Sequence, residues 1–95
     1  MVRYEVMFIV NPEIGDEAVA QVAEKFKTLI ENNGEIESFG EWGKRKLQYP
    51  INDIEDGAYY LSLFKAEPDF PAELERIFRI TDGILRFLVI NKDAE

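Results

Sequence analysis

The segment Trp42-Gly43-Lys44-Arg45-Lys46-Leu47-Gln48-Tyr49-Pro50 has the clearest chemical content, with three consecutive cations bounded by aromatic side chains. Lys and Arg neutralise phosphate, and an exposed ring offers a face on which a base stacks, so the pattern suits contact with RNA. On an extended strand Lys44 and Lys46 share one face and Arg45 takes the other, so a backbone crossing the edge is held from two sides. A plainer reading stands beside this one: cations on an exposed edge strand also discourage edge-to-edge aggregation. Arg86, a lone charge between Leu85 and Phe87, is open to the same two readings. Arg3 and Arg79 are weaker candidates, and Tyr4 reads better as a core aromatic with a wet hydroxyl.

Other chemistries are poorly supplied. The chain has no Cys, which removes disulfides, thiolate metal sites and a thiol nucleophile. It also has no His, the usual general base near neutral pH and the commonest transition-metal ligand. Glu35, Glu37 and Glu41, and likewise Asp53, Glu55 and Asp56, form acidic groups, but neither follows the calcium-loop pattern and there is no Gly-rich phosphate loop. They read as solvated charge. The expectation is a protein with no catalytic residues, no metal and no cofactor.

The balance of charge constrains the RNA reading. With 19 acidic and 11 basic residues in 95, the formal net charge is −8, which as a bulk property repels nucleic acid. Any RNA contact must come from a local basic cluster. At 46% hydrophobic and 32% charged residues the composition is that of a globular domain, and residues 1–95 are expected to form one domain, with 91–95 a short polar tail. No stretch approaches the roughly 20 apolar residues of a membrane span and the first ten lack a cleavage-site pattern, so a cytoplasmic location is expected.

The elements that must position these residues follow from periodicity. Arg3 to Val10 alternates, with Tyr4, Val6, Phe8 and Val10 on one face and Arg3, Glu5, Met7 and Ile9 on the other. Asn11-Pro12 stops that strand. Val19, Val22, Ala23, Phe26, Leu29 and Ile30 recur at spacings of three and four, which predicts a helix from about Asp16 to Asn32 ended by Asn32-Asn33-Gly34 in a left-handed conformation. A long strand over Ile36 to Tyr49 is bent or bulged at Gly40 and Gly43. Asp56-Gly57 reads as the turn into a third strand, Ala58 to Ala66. Pro68 and Pro71 flank the start of a second helix with Phe70, Leu74, Ile77 and Phe78 on its core face and a Glu75–Arg79 pairing on the outside. Ile84 to Ile90 is the fourth strand.

This βαββαβ order predicts an α+β, ferredoxin-like split βαβ plan, a four-stranded antiparallel sheet with two helices on one face. Such a sheet normally has a polar solvent face. Here, with Val6, Phe8, Phe64, Phe87 and Val89 toward the helices, Met7, Ile9, Tyr59, Leu61, Leu63, Leu88 and Ile90 form an apolar patch on the open face that calls for a cover.

Three segments carry a resemblance: Arg3-Tyr4-Glu5-Val6-Met7-Phe8-Ile9-Val10-Asn11-Pro12, Trp42 to Ile51, and Ile84-Leu85-Arg86-Phe87-Leu88-Val89-Ile90. In order and spacing, over about residues 3 to 92, the chain resembles bacterial small-subunit ribosomal protein six. Two positions depart from the pattern, Lys46 where the family usually has Arg or another polar residue and Gln48 where it has a small one. Lys keeps the charge but lacks the planar fork that grips phosphate bidentately. The resemblance implies a non-enzymatic constituent of the small ribosomal subunit that binds the central domain of its ribosomal RNA together with small-subunit ribosomal protein eighteen. By matching position it implies RNA or partner contacts at Arg45, Lys46 and Tyr49, with Arg3, Arg79 and Arg86 as further ones.

Two rivals share the topology. A small dimeric ferredoxin-like enzyme or effector-binding module would pack two open faces around a ligand, which the apolar patch suits and the missing His and Cys do not. An RNA-recognition motif would stack bases on the sheet, but Gly57-Ala58-Tyr59-Tyr60-Leu61-Ser62-Leu63-Phe64 matches its third-strand pattern only in part.

Overall fold

A computed structural model describes residues 1–51 and 53–94. Alternation in the first segment produces strand β1, Val2–Val10, whose even-numbered side chains from Tyr4 to Val10 are buried. Asn11 then turns the chain: its side-chain oxygen accepts the Glu13 N–H at 2.9 Å, opening the 3-10 turn Pro12–Ile14, and Gly15 follows at φ 100°, a conformation that favours glycine. Helix α1 spans Asp16–Asn33 and its Asp16 and Glu17 complement the dipole at that end.

The helix does not end as the sequence suggests. Gly34 is fully extended, at φ −175° and ψ −157°, and already belongs to strand β2, Gly34–Ile51. It is glycine for a steric reason, since a Cβ there would run into the carbonyl of Lys65 on the neighbouring strand. The helix terminus is satisfied instead by the Asn33 amide, which donates to the Leu29 carbonyl at 2.8 Å.

Strand β3 runs Ile54–Ala66, helix α2 Phe70–Ile80 and strand β4 Ile84–Asn91. All pairings are antiparallel in the order β2-β3-β1-β4. Tyr4 stands opposite Phe64, Phe8 opposite Tyr60 and Phe87, and Val6 opposite Ser62 and Val89, so these side chains share one face. Both helices pack there. Phe26 of α1 and Phe78 of α2 stack at 4.0 Å between ring centres, and each lies within 5.4 Å of Phe8. The ferredoxin-like plan is therefore the fold. Ser62, a small polar residue fully buried in this core, donates its hydroxyl to the Ser38 carbonyl at 2.7 Å, where the β2 register slips between Ile36 and Ser38.

The expected bulge is found at Gly43, at φ 79° with a register shift between Glu41 and Gly43, whereas Gly40 pairs in register with Leu61. The short polar tail expected over 91–95 is structured as far as it is described. Asn91 closes β4, and Lys92–Ala94 form a 3-10 turn in which Asp93 accepts the Arg3 N–H at 3.1 Å. Glu95 lies outside the described residues.

Candidate functional site

The turn expected at Asp56-Gly57 is absent from that position. β1 pairs with β3 only as far as Ala58, but β2 and β3 continue together: Arg45 pairs with Gly57, Lys46 with Asp56 and Ile51 with Ile54, so residues 45–51 and 54–57 form a two-stranded arm beyond the sheet. Asp53, at φ 65°, lies at its tip. Gly57 serves the middle of the arm rather than its end, because a Cβ there would collide with a methyl of Ile9 and press on Leu47 at 3.2 Å.

That close approach folds the arm back over the open face. Leu47 is buried and covers Ile9, leaving the latter only 3% exposed. Ile9 is thus withdrawn from the open patch by the chain itself, which corrects its expected place on an exposed surface. Between arm and sheet lies a hollow of about 180 Å³ lined by Met7, Ile9, Leu47, Gln48, Tyr49, Ile51, Tyr59 and Arg86. The rest of the patch remains uncovered. Met7, Tyr59, Leu61, Leu63 and Ile90 are half-buried and Leu88 is 51% exposed.

The predicted cations fall into three places. Lys44, Arg45, Lys46 and Tyr49 lie on the arm or at its base, and Arg86, opposite Ile9 on β4, joins Tyr49 at the hollow. Arg3 is at the other end of β1, six residues or about 20 Å from Ile9, and holds Glu37 through two 3.0 Å hydrogen bonds. Arg79 belongs to the helix layer, bridged to Glu75 at 3.4 Å and set over the Phe87 ring, as the spacing on that helix predicts. The charges are not equally free. Lys44 meets Asp16 at the start of α1 at 3.3 Å, and Arg45 lies over Trp42 while donating to its carbonyl at 3.3 Å. Among the described residues Lys46 and Arg86 have no ion pair. Trp42 and Tyr49 are 54% and 69% exposed, so their rings are available to stack.

The electrostatics give no sign of acid-base chemistry. Each perturbed group moves away from neutrality: hydrogen bonding to Arg3 lowers the Glu37 carboxyl, Arg76 does the same to Glu73, and burial raises the Tyr60 hydroxyl with help from Glu41. Among the described residues no three carboxylates converge on a cation position. A hollow of about 590 Å³ opens between the end of α1 and the start of α2 and is rimmed by Asn33, Glu67, Asp69, Glu73 and Arg76. A small-molecule pocket is predominantly apolar and this one is not.

The family profile of ribosomal protein S6 matches residues 3–91. The chain belongs to the ribosomal protein S6 family. Small ribosomal subunit protein bS6 of Clostridium novyi is 52% identical over 94 residues, covering 98% of this chain and 99% of its own. The bS6 protein of Caldanaerobacter subterraneus is 49% identical, with the same coverage of each chain. The crystal structure of 30S ribosomal protein S6 from Thermotoga maritima superposes with a TM-score of 0.91 at 29% identity, covering 98% of this chain and 89% of that one. As an S6 family member the chain is a structural constituent of the small ribosomal subunit, not an enzyme, and is cytoplasmic with that particle.

Sequence reasoning missed Leu47, Ile51 and Gly57 as builders of the site. Leu47 carried a signal: it is the one apolar side chain in the run Lys44 to Gln48, where a free strand would have no use for it.

Proposed function

We propose that the chain binds the central domain of the small-subunit ribosomal RNA together with small-subunit ribosomal protein eighteen. The observation that supports this best is the segregation of charge and apolar surface. On a chain of net charge −8, Arg45 and Lys46 project on an arm, and an uncovered row of Met7, Leu61, Leu63, Leu88 and Ile90 lies beside its base. Affinity for RNA rises with the number of phosphates neutralised, and the arm neutralises few. A basic partner docked on the apolar row supplies the missing charge, while the arm adds contacts of its own.

The test is a titration of a central-domain RNA fragment with the pair of proteins at fixed salt. Arg45→Glu is expected to weaken binding at least tenfold and to reduce the slope of log K against log salt by about one. A charge-reversed variant that assembles into small subunits normally would overturn the proposal. The homodimeric effector module predicts instead that Leu88→Asp abolishes self-association and leaves RNA binding unchanged.

A further inference from the structure

We infer that the hollow between the arm and the sheet seats a single unstacked nucleobase of the bound RNA, an inference that rests on the RNA-binding reading above. Its size is the first argument. At about 180 Å³ it falls short of the 300–1,000 Å³ of pockets for drug-sized ligands, and is of the scale of one ring system.

Its lining is the second. Roughly one residue in five of this chain is acidic, yet among the described residues no carboxylate lines the hollow, its one charge there is Arg86, and Arg86 has no ion pair. The floor is apolar, from Met7 and Ile9. Tyr49 and Tyr59 supply rings, and Gln48 supplies an amide that both donates and accepts along a base edge. Arg86 is then placed for a phosphate beside a base turned out of its stack. An aromatic side chain of a partner protein would use the floor and the rings but make no use of Arg86 and the Gln48 amide.

The site is held ready by the chain's own packing. Leu47 over Ile9 fixes the arm against the sheet, and the missing side chain at Gly57 permits the approach. Binding therefore needs no ordering of the arm, and the base gains contacts on a surface already formed.

Titration of the two-protein complex with the central-domain fragment tests the inference, using a set of RNAs that carry an abasic residue at each unpaired position in turn. Tyr49→Ala should lower affinity about tenfold, as expected for loss of one stacked base, without changing the salt slope. Tyr49→Phe should restore it. One abasic RNA should reproduce the loss with the parent protein and show no further loss with Tyr49→Ala. Because Tyr49 is 69% exposed, its replacement leaves the fold intact.

If the parent complex binds RNA but Tyr49→Ala has no effect, or no abasic position matches it, the hollow holds no base. If Tyr49→Ala weakens association with protein eighteen in the absence of RNA by the same factor, the occupant is a protein side chain and the inference fails. If the parent complex does not bind RNA at all, the broader functional reading fails as well.

Discussion

Both faces of β1 carry large apolar side chains, and these have different fates. On one, Tyr4, Val6, Phe8 and Val10 are at most 4% exposed beneath two helices. On the other, Met7 is half-buried and its cross-strand neighbour Leu88 is 51% exposed. Among the apolar side chains, cover rather than residue chemistry makes the difference. Burial contributes about 25 cal/mol per Å² of apolar surface, so the helix face holds stability already realised and the open face holds surface that a partner can still bury. Ile9 marks the boundary, an open-face residue that the chain buries for itself.

The largest effect should come from the helix face. Phe8 is fully buried against Phe26, Tyr60 and Phe78, and Phe8→Ala should cost about 3–5 kcal/mol in urea unfolding. Next is the boundary. Gly57→Ala forces a methyl against Ile9 and Leu47 and should cost about 1–3 kcal/mol, with hydrogen exchange speeding up in the arm and not in the helices. In an Ile9→Ala background the same change should cost less, because the obstructing methyl is gone. Equal costs in both backgrounds would mean that the arm is not clamped there. Leu88→Ala should stay within about 0.5 kcal/mol in stability and yet weaken partner association. A stability loss approaching that of Phe8→Ala would erase the distinction between the faces.

What could be read from the sequence follows the same division. Alternation assigned each β1 side chain to its face because a strand has a strict period of two, and the helical stripes around Phe26 and Phe78 were equally plain. Misread were the glycines whose role is set by a neighbour distant in the chain. Gly57 resembled a turn because Asp precedes it, and Gly34 resembled a helix cap because Asn precedes it. Both are small to let another strand come close. The pairings Lys44–Asp16 and Arg3–Glu37 were also invisible, since sequence spacing does not reveal which charges a sheet brings together.

The smallest predicted effect concerns the end of β1 away from the arm, where Arg3 faces Glu37 across the first β2 register shift. Glu37 has its folded pKa lowered below the unfolded value, chiefly by the hydrogen bonds from Arg3, so its contribution is present above the ordinary carboxylate range and is lost as pH falls through the lowered value. Arg3 is moved upward and stays charged throughout. Both groups are solvent-exposed, so screening keeps the contribution small and high salt should reduce it further. Glu37→Gln should therefore shift the urea midpoint only slightly at neutral pH, and its difference from the parent should vanish in acid. A large shift at neutral pH would show that this end of the open face is held by charge as firmly as the arm end is held by Leu47 on Ile9.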